Sequence, residues 1–195
     1  MLADLLAHPG VEEVCELHGR FGLMAFHGGS LERGTDVIAE AAAIRAGASF
    51  YAVRQPEDLN WHLPSVAFDP AHSPALARFV AHVDTVVAVH GYGRAEMWTT
   101  LLVGGTNRPL AARLRAALET SLGEGFTVVD DLEAIPTQLR GQHPRNPVNL
   151  PRRRGVQLEL PPRVRPGTGA PTYRPAYEAA VIDALVDIAN RPFGR

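Results

Sequence analysis

Six short apolar runs alternate along this 195-residue chain with four segments of helical spacing, and that alternation restricts the fold more than any other feature. RFGLMAF (20–26), SFYAVR (49–54), DTVVAVH (84–90), TTLLVGG (99–105), FTVVDD (126–131) and GVQLEL (155–160) read as strands. TDVIAEAAAIRAG (35–47), SPALARFVAHV (73–83), NRPLAARLRAALETSLG (107–123) and RPAYEAAVIDALVDIANR (174–191) read as helices. The first of these is expected to be N-capped by Thr35 or Asp36 and to stop at Gly47. Such a pattern predicts an α/β fold with an open mixed, mostly parallel sheet and helices on both faces. VEEVCEL (11–17) is expected as one arm of a hairpin at the sheet edge.

With 46% hydrophobic residues, residues 1–195 can bury one substantial core, and we expect one domain. No apolar run approaches the roughly 20 residues that span a bilayer, so no membrane partner is expected. The N-terminal segment MLADLLAHPGVEE is acidic where a secretory signal would be basic, and a cytoplasmic location is the expectation. Cys15 is the single cysteine, which rules out an internal disulfide.

All 19 basic residues are arginine. Without lysine there can be no Schiff-base enzyme, no pyridoxal phosphate attachment and no phosphate loop of the GxxxxGK[ST] kind. Seven of the arginines (Arg140, Arg145, Arg152, Arg153, Arg154, Arg163 and Arg165) fall within one proline-rich stretch. Residues 139–170 are therefore expected to form Arg/Pro-rich loops flanking the GVQLEL strand, either as a solvated surface or as a place where an anionic ligand gathers guanidinium groups.

In an open α/β sheet, ligands bind beyond the carboxyl ends of the strands. Three positions satisfy that placement. RFGLMAF runs into His27-Gly28-Gly29-Ser30-Leu31-Glu32, DTVVAV runs into His90-Gly91-Tyr92, and Glu159 lies near the end of GVQLEL. Two imidazoles and a carboxylate with an open fourth position suit a hydrolytic zinc site, where the metal polarises the scissile carbonyl and activates water. A second carboxylate then accepts the proton. The glycines after His27 would let the chain return Glu32 towards the metal. Alternation along the last strand puts Gln157 and Glu159 opposite Val156 and Leu158, and a carboxylate on a strand covered on both faces needs a metal, a charge partner or water.

HGGSLERGT (27–35), SFY (49–51), AVHGY (88–92), VGG (103–105) and RGVQLEL (154–160), in that order, resemble the poly-γ-glutamate hydrolase family, from about Arg20 to Arg163. The resemblance implies a zinc-carboxypeptidase-like α/β core and zinc-dependent cleavage of γ-glutamyl amide bonds. It further implies His27, Glu32 and His90 as ligands of Zn2+ and Glu159 as general base and then general acid. Where the family commonly has HGGG-I-E-P-G-T, this chain carries Ser30 and Arg33, and neither change touches a ligand. In NWHLPSVAFDP (60–70) the family tends to show a second histidine before the Phe-Asp pair, where this chain has Val66-Ala67. The substrate pocket is expected to differ there.

Candidate contacts to an anionic peptide or γ-glutamyl substrate are Arg154, which directly precedes the Glu159 strand, then Arg153, Arg145 and Arg108, with Tyr92 beside His90 as an oxyanion donor and His62 as a further contact. His8, His18, His72, His82 and His143 are assigned to surface or structural roles. A hydrolase using Cys15 or Ser30 as nucleophile lacks an activating residue set or a GxSxG turn. An arginine-rich module for nucleic acid or another polyanion fits poorly with a net charge of -2 and 7% aromatic residues. The same zinc fold acting on a cell-wall peptide or another peptide amide remains open, as do oligomeric state and internal versus terminal cleavage.

Overall fold

The structure is a computed structural model that describes residues 1–191. Seven strands form one mixed sheet in the order β1-β3-β2-β4-β7-β5-β6. They are β1 (Glu12–Glu16), β2 (Phe21–Gly29), β3 (Ser49–Gln55), β4 (Thr85–Gly91), β5 (Thr100–Val103), β6 (Thr127–Val129) and β7 (Gly155–Leu160). The central block β3-β2-β4-β7 is parallel, while β1 and β5 attach to it antiparallel. The expected α/β architecture is therefore present, with all six anticipated strands. The segment at residues 11–17 does form an edge strand, but it pairs with β3 rather than with the strand that follows it.

Among the described residues, five α-helices cover the sheet: α1 (Leu2–Leu6), α2 (Thr35–Ala46), α3 (Pro74–His82), α4 (Arg108–Leu122) and α5 (Pro175–Asn190). Strand alternation divides the apolar side chains between two cores. Leu23 and Ala25 of β2, Val87 and Val89 of β4 and Val156 and Leu158 of β7 face α2, α4 and α5. Met24 and Phe26, with Val86 and Ala88, face α1, α3 and the loop carrying Phe68. Burial on both faces explains why β2, β4 and β7 are nearly continuous apolar runs. No described helix is long and apolar enough to cross a membrane.

Helix α2 ends at Gly47 as expected, but its N-cap is Gly34. Thr35 and Asp36 lie just inside the helix, where their side chains bind the preceding loop. Thr35 Oγ1 donates to the Glu32 carbonyl at 2.8 Å, and Asp36 Oδ1 accepts from the Gly29 N–H at 3.2 Å. The polar start of α2 thus serves the loop leading from β2.

Candidate metal centre and substrate cavity

The carboxyl ends of β2, β4 and β7 lie side by side, and each supplies one polar side chain to the same place. Between Ala25 and Gly28, β2 carries one residue more than the paired stretch of β3, a bulge that re-aims the strand. Phe26 and His27 consequently turn to one side of the sheet. The His27 ring lies 5.1 Å from Phe26 and 5.5 Å from Phe68, against the second core. Strict alternation would have sent His27 to the opposite face. Beyond it, Gly29 has φ +70°, and a Cβ there would stand 2.2 Å from the Gln55 carbonyl oxygen. This left-handed turn lets the Glu32 N–H reach back to the His27 carbonyl at 2.9 Å, which brings the Glu32 carboxylate under the strand ends.

Glu32 is the centre of the cluster. Its Oε1 lies 2.7 Å from His27 Nδ1, and its Oε2 lies 3.2 Å from His90 Nδ1 and accepts the Gly91 N–H at 2.9 Å. The His27 and His90 rings stand 5.0 Å apart at 80°. Burial alone would push the Glu32 carboxyl up, but the charges of His90 and His27 and their hydrogen bonds outweigh it and hold the group well below the usual carboxylate range. Burial likewise works against a charged His90, and the Glu32 carboxylate overcomes it and raises the imidazole above its ordinary value.

The donor set fits a cation. His27 Nε2 lies 2.8 Å from the Leu63 carbonyl, which can only accept, so that nitrogen carries the hydrogen. In the neutral ring, Nδ1 then presents a lone pair to a carboxylate oxygen, an arrangement that requires a proton or a metal ion between them. His90 Nε2 is buried without a hydrogen-bond partner among the described residues. A further histidine comes close: the ligating atoms of His27, Glu32 and His62 lie within 4.8 Å of one another. The His62 ring is 5.0 Å from His27, and burial together with the neighbouring His27 lowers its pKa.

Glu159 sits on β7 directly opposite His90 and is buried. Gln157 Nε2 donates to its Oε1 at 2.8 Å. Desolvation pushes the carboxyl up to about 7, with His90, Gln157 and Arg165 pulling it down and Glu32 adding to the rise. Two carboxylates of one cluster are thus driven in opposite directions, Glu32 towards the permanently charged form and Glu159 towards a proton-exchanging one.

These side chains form the floor of a cavity of about 570 Å³. One wall is the loop carrying His62, Ser65 and Val66, and the other is the segment from Thr137 to Asn146, with Gln138, Gln142 and His143. Val66, at the departure from the family pattern, therefore does line the cavity. His143, assigned from the sequence to a surface or structural role, is exposed and lines it too. The signal available was the run of amides and imidazole in TQLRGQHPRN (137–146), which is separated from the strand bearing Glu159 by residues 147–154.

No arginine lines this cavity among the described residues. Arg153 and Arg154 precede β7 and stand at the end of the strand opposite Glu159, Arg154 roughly 16 Å away at about 3.3 Å per residue. Arg153 lines a separate groove with Arg20, Asp84 and Arg191. Arg108 Nη1 donates to the carbonyls of Val103 and Gly105 at 3.3 and 3.2 Å, and its Nη2 to the carbonyl of Asp130, so it braces the β5–α4 turn. Arg145 is exposed, and its backbone N–H donates to His143 Nδ1 at 3.1 Å. The Tyr92 hydroxyl donates to the carbonyls of Met97 and Thr100 and packs with Leu102 and Ile135. Of the proposed substrate contacts only His62 reaches the cavity lining. The arginine that does approach the cluster is Arg165, buried, with its guanidinium on the carbonyls of Leu160, Arg33 and Tyr92.

The poly-gamma-glutamate hydrolase family model matches residues 6–168. The chain belongs to that family. It is an enzyme that hydrolyses γ-glutamyl amide bonds. Among solved structures, a bacteriophage poly-gamma-glutamate hydrolase shares the fold with a TM-score of 0.73 at 20% identity, covering 94% of this chain and 93% of that one. A zinc-free structure of YNDL has a TM-score of 0.68 at 22% identity, covering 88% of this chain and 86% of that one. A metallo-carboxypeptidase from Pseudomonas aeruginosa has a TM-score of 0.53 at 15% identity, covering 96% of this chain and 66% of that one. No curated protein sequence matches the chain significantly. The family match spans every residue of the cluster described above, from His27 to Glu159.

Proposed function

We propose that this member of the poly-γ-glutamate hydrolase family is a zinc enzyme in which His27, Glu32 and His90 hold the metal and Glu159 is the general base. The observation that carries this reading is the meeting of two imidazole Nδ1 atoms on one carboxylate, with the opposite nitrogen of His27 already committed to the Leu63 carbonyl. Zinc rather than a harder ion is favoured by two imidazoles and one carboxylate, and its chemistry there would be Lewis-acid polarisation of the scissile carbonyl.

Glu159 takes a proton at its carboxylate from the attacking water and delivers it to the departing amine nitrogen. A group pushed up to about 7 is matched to both transfers near neutral pH. The cavity wall of Gln138, Gln142 and His143 supplies hydrogen-bond donors and acceptors for the amide groups and carboxylates of a γ-linked glutamate chain. Amides and imidazoles, in place of an arginine clamp, favour a repeating chain that must shift along the site over one that is locked by its end.

The test is elemental analysis of the purified protein together with amine release from poly-γ-glutamate by wild type and Glu159→Gln. We expect about one zinc per chain in both proteins and a loss of turnover of about 10²- to 10⁴-fold in the variant, the range of general-base contributions. Absence of zinc from wild type, or full activity of Glu159→Gln, would overturn the assignment.

A further inference from the structure

We propose that Gln157, oriented by Asn146, is a positioning residue that fixes which oxygen of the Glu159 carboxylate exchanges protons and ties that choice to the loop walling the cavity. The proposal rests on Glu159 being the base.

Gln157 lies two residues before Glu159 on β7 and on the same face, and both side chains are buried. Its amide is engaged at both ends. Gln157 Nε2 donates to Glu159 Oε1 at 2.8 Å and to the Leu139 carbonyl at 3.3 Å, while Gln157 Oε1 accepts from Asn146 Nδ2 at 2.9 Å. Asn146 Oδ1 in turn accepts the Val148 N–H at 3.1 Å.

This sequence of bonds has one direction only. The Val148 N–H can only donate, so the Asn146 atom facing it is the oxygen, and Asn146 turns its NH₂ to Gln157. Gln157 must then meet Asn146 with its oxygen and turn its own NH₂ to Glu159. The Leu139 carbonyl, which can only accept, demands the same orientation independently. A backbone N–H thus dictates, through two side-chain amides, that Glu159 Oε1 accepts a hydrogen bond. The carboxylate is held against rotation and its other oxygen is left for proton transfer.

Buried amides cost free energy unless fully paired, and an apolar filler would be cheaper at both positions. Here the pairing ends on the base. The segment involved is also the cavity wall. Leu139, Gly141 and Asn146 bracket Gln157, and Gly141, with φ +63°, lies so close that a Cβ there would stand 2.6 Å from Gln157 Cβ. Displacement of the 137–146 wall therefore releases the amide that holds the base.

Two variants test this without touching Glu159 or the metal-binding cluster. Gln157→Met keeps the length of the side chain and removes all three of its amide hydrogen bonds. Asn146→Asp keeps the acceptor for the Val148 N–H but removes the donor, which leaves Gln157 Oε1 facing a carboxylate oxygen and loosens the amide that holds Glu159. On poly-γ-glutamate each should lower kcat by about 10- to 100-fold, with KM within about threefold of wild type, since misplacement of a reacting group by an ångström costs about 10²-fold. Zinc content should stay at the wild-type value, while the thermal midpoint should fall by a few degrees in each, because each leaves a buried polar group without its partner. The double variant should be no worse than the poorer single one, because both break one chain of bonds. In metal-free protein, the Gln157 side-chain NH₂ resonances, identified by their loss in Gln157→Met, should shift in Asn146→Asp.

A kcat within twofold of wild type in either variant, a loss carried by KM, fully additive losses in the double variant, or unmoved Gln157 resonances would each overturn the proposal. Should Gln157→Met fail to fold, Asn146→Asp and its resonances decide alone. Failure of the underlying base assignment is distinguishable, because it shows as retained activity in Glu159→Gln.

Discussion

His90 and Glu159 are direct register partners on the adjacent parallel strands β4 and β7, so the two side chains leave the sheet on the same face at its carboxyl end. That pairing places a histidine of the donor cluster beside the carboxylate with the largest upward pKa displacement among the described carboxylates. It arises from backbone pairing, and on β4 and β7 the same face otherwise carries Val86, Ala88 and Gln157. The cluster thus stands on the central strands of the sheet, and the two loops that line the cavity stand above it.

The first prediction concerns stability in metal-free protein. Glu159 has an ordinary value of 4.5 that the fold raises to about 7. Between those values the folded chain binds a proton that the unfolded chain has lost, so stability falls as pH rises from 4.5 through 7, by about 3 kcal/mol in total. Chemical denaturation of chelator-treated protein at pH 5 and pH 8 should show wild type losing stability over this interval. Glu159→Gln should lose markedly less and should exceed wild type at pH 8. Parallel pH dependence in the two proteins would refute a buried, proton-holding Glu159.

A second prediction separates the histidines. Glu32 binds His27 and His90 through its two oxygens, whereas His62 approaches the cluster from an exposed loop position. His90→Ala should weaken zinc binding by at least about 100-fold, more than the loss of an outer-sphere partner. His62→Ala should retain zinc and raise KM for poly-γ-glutamate. Competition against a chromogenic chelator gives the affinities, and the reverse pattern would make His62 the third ligand.

Much of this was legible in the sequence because strand ends announce themselves. His27, His90 and Glu159 each terminate an apolar run, and alternation correctly set Gln157 and Glu159 against Val156 and Leu158. Three features were not legible. The bulge that turns His27 to the face of Phe26 depends on pairing with β3, a non-local fact. The pairing of β1 with β3 skips the neighbouring strand in the chain. Arg153 and Arg154 fall outside the cavity because proximity in sequence to Glu159 ignores that a strand has two ends, and Arg154 and Glu159 stand at opposite ones. Conversely, His143 and the amides of its loop are remote from any strand end in sequence, and only the folding of that loop over β7 brings them to the cavity.

The two ends of β7 give a third prediction. Arg154 has φ 56°, a left-handed conformation costing an L-residue about 1–2 kcal/mol, and its side chain is exposed away from the cavity. Arg154→Gly should leave kcat and KM within about twofold of wild type and should not lower the thermal midpoint, because relief of the strain offsets the entropy that glycine adds to the unfolded chain. His143→Ala, at the cavity wall, should raise KM. A large KM effect in Arg154→Gly with none in His143→Ala would return the substrate to the arginine-rich loop.

The last prediction links backbone geometry to metal. Gly29 is left-handed, and a Cβ on it would fall 2.2 Å from the Gln55 carbonyl oxygen and 2.7 Å from the Gln55 nitrogen, both backbone atoms of β3 that cannot swing aside. Gly29→Ala must therefore move the chain between His27 and Glu32. That segment also carries the Glu32 N–H to His27 carbonyl bond, and the N–H of Gly29 itself donates to Asp36. Strain at such a position costs on the order of 1–3 kcal/mol. The greater effect should fall on zinc, since Glu32 is the carboxylate that both imidazoles share. We expect Gly29→Ala to lose stability by that amount in the metal-free state, measured by denaturant titration, and to lose additionally the stabilisation that saturating zinc gives wild type. If the variant is destabilised but still gains as much from zinc as wild type does, the turn at Gly29 shapes the fold without setting the position of Glu32.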